Sequence, residues 1–264
     1  MQTTARPVAS FPADSRIAAR ARRLALCALA LLMLASAAPP PAKAQSVQES
    51  GQFDLVVAGI PAARMDFSAS QQGDTYTVTA GFASTGLLAL MRRVQFTARA
   101  EGAIRDTLPR PTRYEARAEA GRRSVEMVMD YADGIPQVRV DLPPREAADW
   151  QIDAASQGGT VDPISALYIT LRDVAPGTEC NRRFRMFDGR RATELTVGPS
   201  RAGEDGAVTC TGEYRRIAGY PPEDMEERTR FPFTLTLTPA ENGLLRVTEV
   251  EMDSLIGKAR LIRR

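Results

Sequence analysis

The sequence contains no histidine among its 264 residues, and it has only three cysteines. Without histidine the chain has no Ser-His-Asp triad, no Cys-His pair and no imidazole metal site. It also lacks a GxSxG nucleophile elbow, a glycine-rich phosphate loop and a calcium-loop pattern. We therefore predict no catalytic residue, no metal site and no cofactor, and a function outside catalysis is favoured.

Charge of one sign is not in large excess. With 34 Lys plus Arg against 32 Asp plus Glu, the formal net charge is +2. A protein that covers a long nucleic-acid footprint needs many more unpaired cations to neutralise phosphates. Nucleic acid is therefore excluded as an expected partner.

The first 44 residues have the pattern of an export signal. Basic residues at positions 16–23 precede an apolar run from Leu24 to Ala38, and prolines at 39–41 and the stretch Ala42-Lys43-Ala44 follow. This order is typical of a secretory signal peptide, and the run of 15 residues is shorter than the roughly 20 that span a membrane. We predict cleavage near Ala44 and a periplasmic or secreted protein without a transmembrane span.

The expected mature chain, residues 45–264, is predicted to form a single domain. Removing residues 1–44 leaves 28 basic and 31 acidic residues, so the net charge becomes −3. The two remaining cysteines, Cys180 and Cys210, are predicted to form a disulfide, because paired cysteines in an exported chain are usually oxidised. A reactive thiol is the alternative, but no CxxC motif or histidine supports it.

Alternation of apolar and polar residues dominates the chain from Gln52 onward. Runs such as 75–82, 94–101, 113–120 and 233–238 change character at every residue, which is the period of a β-strand with one buried face. Asp133-Gly134 and Asn242-Gly243 are typical of tight primed hairpin turns. The pattern predicts about eleven or twelve strands in an all-β fold, as an antiparallel curved sheet or an incompletely closed barrel.

One segment departs from the strand pattern. Asp162 is a good N-cap residue, Pro163 suits the first helical position, and apolar residues then recur near helical spacing up to Leu171. We predict one short central helix in which Ile164, Leu167, Tyr168 and Leu171 share a face. Ser165 in its first turn is interpreted as a capping residue rather than a nucleophile.

Four stretches carry a family resemblance: 162–167 (DPISAL), 187–191 (FDGRR), Cys210 with 212–220 (GEYRRIAGY), and 256–259 (IGKA). In this order, with the strands that precede them, they resemble an uncharacterised family of exported bacterial proteins, the domain of unknown function 3108. The resemblance covers roughly residues 53–264. It implies an exported, mostly β protein, and it supplies no catalytic residue.

The predicted hairpin tip after Phe187 is a candidate ligand site. An Asp-Gly turn there would place the Asp188 carboxylate beside the guanidiniums of Arg190 and Arg191. Arginine forks bind phosphate or carboxylate groups well, so an anion or a lipid headgroup is one interpretation. The other is a plain hairpin turn with flanking arginines.

Residues 86–93 (GLLALMRR) form the most apolar stretch of the expected mature chain. If exposed, Leu87, Leu88, Leu90 and Met91 beside two arginines could contact a membrane surface or another protein. The alternative is a core turn or short helix that folds inward.

Small residues mark the predicted inner face of three neighbouring strands, at Ala80, Ala98, Ala100, Ala116, Ala118 and Ala120. Either the domain's own helix packs closely there, or the sheet leaves room for a guest near Ala98 and Ala118. Carriers of acyl chains combine a curved sheet with a helical lid, although architecture alone does not determine function.

Three hypotheses follow from these patterns. The first is a non-enzymatic binding or envelope-maintenance protein with an apolar or lipid-like ligand. The second is a structural module that docks an envelope protein through residues 86–93 or a sheet edge. The third is a carboxylate-based hydrolase, for which Asp188 is the candidate residue.

Overall fold

The structure, a computed structural model, describes residues 46–264 except for the side chain of Leu87. The predicted signal peptide and its cleavage site near Ala44 lie outside this range. The described chain is mostly β, as predicted, with thirteen strands. These are β1 (Ser46–Val57), β2 (Ile60–Gln72), β3 (Thr75–Ser84), β4 (Val94–Arg105), β5 (Leu108–Ala120), β6 (Arg123–Ala132), β7 (Ile135–Leu142), β8 (Arg182–Phe187), β9 (Ala192–Ala202), β10 (Val208–Ala218), β11 (Arg230–Pro239), β12 (Leu245–Ser254) and β13 (Gly257–Arg263).

All thirteen strands belong to one antiparallel sheet. Its order is β7-β6-β5-β4-β3-β2-β1-β13-β12-β11-β10-β9-β8, so the first and last strands of the chain pair with each other near the middle. Strands β7 and β8 are the two edges, and they do not pair with each other. The prediction of an antiparallel sheet that does not close completely into a barrel is therefore confirmed.

Within residues 46–264, three short α-helices accompany the sheet where one was predicted: α1 (Gly86–Met91), α2 (Pro163–Leu171) and α3 (Pro222–Glu227). The predicted central helix is α2. It contacts β3, β4 and β5 and also β8, at the far edge of the sheet. Because one short helix reaches strands so far apart in the sheet order, the sheet must curve around it.

The gap between the two edges is bridged by the segment that connects them. Val161 pairs in parallel with Met186 of β8, and the N–H of Gly159 donates to the carbonyl of Gly134 at the β6–β7 turn (2.9 Å). The connection therefore satisfies part of the unpaired backbone that an open sheet presents at its edges.

The interior of the curved sheet explains the small residues. Ala80, Ala98 and Ala100 are buried where α2 packs against β3, β4 and β5. The burial of α2 extends beyond the predicted shared face, because the helix lies inside the curved sheet and is covered on several sides. Its buried residues are Ile164, Ser165, Ala166, Tyr168, Ile169 and Leu171.

The two predicted hairpin turns differ. Asp133 and Gly134 both have positive φ, at 52° and 75°, as the tight β6–β7 turn requires. Asn242-Gly243 instead lies within a five-residue loop, and only the glycine has positive φ. There the Asn242 side chain accepts a hydrogen bond from the N–H of Leu244 (3.1 Å), which closes a wider turn.

Cys180 and Cys210 form a disulfide with a Cα–Cα distance of 5.9 Å. Cys210 lies in β10, and Cys180 lies two residues before the start of β8, so the bond joins a strand to the segment that leads into the edge strand. The bond reaches across β9 and ties the start of the edge strand β8 to the interior of the sheet.

Candidate functional site

The start of α2 is held by a buried carboxyl group. One oxygen of Asp162 accepts hydrogen bonds from the N–H groups of Ile164 (2.9 Å) and Ser165 (2.8 Å), and the other accepts from the Ser165 hydroxyl (2.5 Å). Ser165 Oγ also lies 2.5 Å from the Tyr76 hydroxyl of β3. The predicted capping role is therefore confirmed, and a tyrosine extends it to the sheet.

The polar groups at this cap are fully desolvated. Burial raises the pKa of Asp162 to about 6, although its hydrogen bonds with Ser165 and Ile164 oppose the change. Burial, with the nearby charge of Asp162, also raises the pKa of Tyr76 and Tyr131 far above the usual range. Both phenols therefore stay protonated. Tyr76 is a neutral hydrogen-bonding group at the cap, whereas the hydroxyl of Tyr131 has no hydrogen-bond partner among the described residues. The sequence pattern had not singled out Tyr76, because its partner Ser165 is 89 positions away.

A cavity of about 270 Å³ lies between α2 and the C-terminal half of the sheet. Apolar side chains dominate its wall, and Asp188 is the one charged residue among those that line it. The lining residues are Pro163, Ala166, Leu167, Thr170 and Leu171 on the helix side, and Met186, Asp188, Thr193, Leu195, Tyr214, Phe233, Leu235, Val250, Met252 and Leu261 on the sheet side. An apolar hollow with a helical lid was one of two alternatives that the sequence left open, and Asp188 is the one predicted ligand-site candidate that lines it.

The cavity is accessible, because several lining side chains, including Leu167, Leu195, Val250 and Met252, are only half-buried. It lies nearer one end of the sheet. We call this the α1 end; there the chain turns between β1 and β2, β5 and β6, β8 and β9, and β12 and β13, and α1 and α3 also lie there. The lining residues of β9 and β12 come from the halves of those strands that are nearer the α1 end, and those of β11 lie near the middle of the strand.

Asp188 lies in the wall of this cavity, at the β8–β9 turn. One of its oxygens accepts hydrogen bonds from the N–H groups of Arg190 (2.8 Å) and Arg191 (2.7 Å). This is the hairpin geometry that the sequence predicted. The carboxylate therefore has a structural role in the turn as well as its place beside the cavity.

The arginines of the hairpin do not converge on a shared ligand position. The Arg190 guanidinium is paired with Asp141 of β7 and also donates to the carbonyl of Pro143 (3.1 Å). The Arg191 guanidinium stacks over the Tyr220 ring at 5.0 Å from its centroid. Neither arginine is among the lining residues of the cavity, so the anion-fork interpretation gains no geometric support.

The two alanines proposed near a guest lie elsewhere. Ala98 is 7% exposed and faces the interior on β4, one of the strands that α2 packs against. Ala118 is half-buried on β5. Neither lines the apolar cavity, which lies toward β9–β13. The small residues therefore make room for the helix, and the hollow lies on the other side of that helix.

Residues 86–91 form α1, and the described side chains of this helix point outward rather than into the core. Leu88 is 42% exposed, Leu90 84% and Met91 78%. The side chain of Leu87 is outside the described set. Of the two interpretations of this stretch, the exposed one agrees with the structure, whereas the inward fold is wrong.

Other kinds of site find little support within residues 46–264. No cluster of three or more carboxylate or thiol side chains there has the arrangement of a metal site. Among the helices described, none has the length and apolar character needed to cross a bilayer.

Comparison with known proteins identifies a family. The sequence matches the family described as "Protein of unknown function (DUF3108)" over residues 52–260. No curated protein matches the chain. The structure is similar to the crystal structure of a beta-barrel-like protein of domain of unknown function DUF1849 from Brucella abortus, with 15% sequence identity and a TM-score of 0.48. That alignment covers 83% of this chain and 96% of the other.

Proposed function

The chain belongs to the DUF3108 family, and we propose that it is an exported, non-enzymatic binding protein that holds an apolar, lipid-like ligand in the cavity beneath α2. The observation that carries the proposal is the cavity itself. Its wall is apolar, it is accessible, and a buried helix cap holds one side of it in place. Pockets for small ligands share these features.

The dimensions of the cavity limit the ligand. A volume of about 270 Å³ is close to the lower bound of roughly 300 Å³ for small-molecule pockets. One acyl chain or a comparably slim apolar group fits this space better than a complete diacyl lipid. The remainder of a larger ligand would extend through the accessible side.

Filling the cavity is expected to abolish ligand retention. Val250 is half-buried and faces α2 from β12, so Val250→Trp places an indole where the ligand would lie. Val128→Trp is the matched control, because Val128 is a half-buried valine that faces away from the interior between Met127 and Met129. Native mass spectrometry of the protein processed by an exporting bacterial host should show a lipid-sized adduct on the wild type and the control, and none on Val250→Trp.

The same spectrum tests both signal-peptide cleavage and ligand binding, and each has its own contradicting outcome. A bare mass equal to residues 45–264 would support cleavage after Ala44, whereas an intact N terminus would contradict it. Retention of the adduct by Val250→Trp would show that the ligand lies elsewhere. A wild type that carries no adduct and takes up no environment-sensitive apolar dye would refute the binding function.

The chemistry of the wall further predicts which polar end the ligand carries. Asp188 places a hydrogen-bond acceptor in the cavity wall, so a ligand end with hydroxyl, amide or ammonium donors is favoured over a carboxylate. We expect the protein to bind a monoacylglycerol at least tenfold more tightly than the free fatty acid of equal chain length. Asp188→Asn should reduce that preference, as measured by competition with the apolar dye.

The same variant addresses the hydrolase alternative. Glycosidase chemistry requires a second carboxyl group facing the first at about 5–10 Å, and the cavity wall supplies one carboxylate only. We therefore expect no substrate turnover from the wild-type protein. Ester or glycoside hydrolysis that disappears in Asp188→Asn would reverse this conclusion.

A further inference from the structure

The exposed apolar side chains of the protein are concentrated at the α1 end. Seven of the ten large hydrophobic residues that are exposed within residues 46–264 lie there. They include the four most exposed, which are Leu90 (84%), Met91 (78%), Ile256 (76%) and Ile60 (60%). Folding does not bury these side chains, and exposed apolar side chains grouped in this way are typical of a surface that binds a membrane or another protein.

The most exposed side chains lie on neighbouring turns. The N–H of Thr85, just before α1, donates to the carbonyl of Ala62 on β2 (2.9 Å), which places α1 beside Ile60 at the start of that strand. The N–H of Ala58 in the β1–β2 turn donates to the carbonyl of Lys258 (2.8 Å), which places Ile256 on the other side. We call Ile60, Leu90, Met91, Leu255 and Ile256 the apolar rim.

Four arginines flank the apolar rim on one side. Arg92 and Arg93 follow α1. Arg122 lies in the β5–β6 turn and Arg123 begins β6; in that turn the N–H of Gly121 donates to the carbonyl of Arg93 (3.2 Å). All four are exposed, and none forms an ion pair with any residue of the described range. Glu119 on β5 and Glu126 on β6 are the nearest acids in sequence, and Glu126 is paired with Arg117, so the local charge stays positive.

We propose that the apolar rim and this arginine cluster dock the protein onto an anionic membrane surface. Interfacial binding has two elements. Apolar side chains enter the lipid interface, and neighbouring arginines contact the anionic headgroups. The acidic helix α3, with Glu223, Asp224, Glu226 and Glu227, lies at the same end beyond the β12–β13 turn. Repulsion between the carboxylates of α3 and the anionic headgroups would restrict the membrane contact to the part of this end that carries α1.

Docking in this orientation would give the proposed apolar ligand a short path between the membrane and the cavity. The cavity lies toward the α1 end, so an apolar chain could pass between bilayer and cavity over a short distance. This purpose rests on the proposed ligand-binding function. The docking itself depends only on the rim and the arginines, so it can be measured without a ligand.

Vesicle flotation with the exported, processed protein tests the proposal. The wild type should float with vesicles that contain phosphatidylglycerol, float less with pure phosphatidylcholine, and be partly released by high salt. Arg92→Gln with Arg122→Gln should weaken partitioning by roughly 25-fold, about fivefold per arginine. Leu90→Ser with Met91→Ser should abolish it.

The control variant is Arg99→Gln with Arg117→Gln, which removes the same charge from the outer face of the sheet, where both arginines are ion-paired. An equal loss in this control would overturn the proposal, because net charge rather than the cluster would then explain binding. If the wild type floated with neither kind of vesicle, the membrane-docking proposal would also be overturned, and a protein partner for the apolar rim would be indicated. Val250→Trp should float normally while carrying no ligand, which separates failure of docking from failure of the binding function.

Discussion

Loss of the Cys180–Cys210 disulfide is expected to lower the free energy of unfolding by about 3–4 kcal/mol, because the bond closes a loop of 31 residues in the unfolded chain. This is a large fraction of the roughly 5–15 kcal/mol by which domains are usually stable. The variant in which both cysteines become alanine is preferable to serine, since Cys210 is fully buried and a serine hydroxyl there would need a partner.

The loss should also be local. β8 is a sheet edge that pairs with β9 on one side and has the Val161–Met186 bridge on the other. Because Cys180 lies two residues before β8, the disulfide anchors the start of the strand that supports α2 through Val161. Hydrogen exchange at Phe184 to Phe187 should therefore accelerate more than exchange in β2 or β3.

Urea unfolding of the oxidised protein, the reduced protein and the double alanine variant measures this effect. The reduced wild type and the variant should have the same unfolding midpoint and a similar denaturant dependence. Their shared midpoint should lie well below that of the oxidised form. Equal midpoints for all three would show that the bond contributes nothing to stability. A reduced midpoint above that of the variant would instead attribute the loss to the alanine substitutions.

The fold was predictable because its signals are local. Alternation with a period of two identifies the strands, and the sequence Asp162-Pro163 identifies the start of α2, since both patterns depend on neighbouring residues. The pairing of β1 with β13 has no such signal. It joins residues about 200 positions apart, and either strand could equally have remained at an edge.

The site was predictable only in outline. The small residues at Ala98 and Ala100 indicated that something lies close to the sheet, but their pattern does not distinguish a helix from a ligand. The structure shows the helix there and the hollow on its other side, against strands β9–β13. A pattern within one strand does not encode which side of a helix is left unfilled.

Electrostatic partners were the least predictable element. Arg190 was expected beside Asp188, and the turn geometry is as expected, but its guanidinium is paired with Asp141 on the opposite sheet edge, 49 positions away. That contact exists because the sheet curls until β7 and the β8–β9 turn meet. The exposure of α1 likewise depends on which strands it joins.

The largest pH-dependent effect is expected at Asp162. Its pKa is raised from 3.8 to about 6 in the folded chain, so between these values the folded state holds a proton that the unfolded state has released. The free energy of unfolding therefore falls as pH rises through this window, by about 3 kcal/mol for a shift of this size. Below the window, and above it, this group adds no further pH dependence.

Asp162→Asn isolates this contribution. The asparagine carbonyl still accepts from the N–H groups of Ile164 and Ser165, and its amide can donate to the Ser165 hydroxyl, but it has no proton to lose. The difference in unfolding free energy, wild type minus Asp162→Asn, should therefore fall by about 2.5 kcal/mol between pH 4 and pH 7. Other carboxyl groups titrate in both proteins and cancel in the difference.

Asp162→Ala separates the cap from the charge. At pH 4, where the wild-type carboxyl is protonated, alanine leaves the Ile164 and Ser165 N–H groups buried without acceptors and should cost about 2–4 kcal/mol relative to Asp162→Asn. Chemical unfolding of the three proteins across pH 4–7 measures both effects. A pH-independent difference between wild type and asparagine would mean that water or a cation reaches the carboxylate. If alanine and asparagine were equally stable, the cap would contribute little, and the packing of Tyr168 and Ile169 against the sheet would be what holds α2 above the cavity.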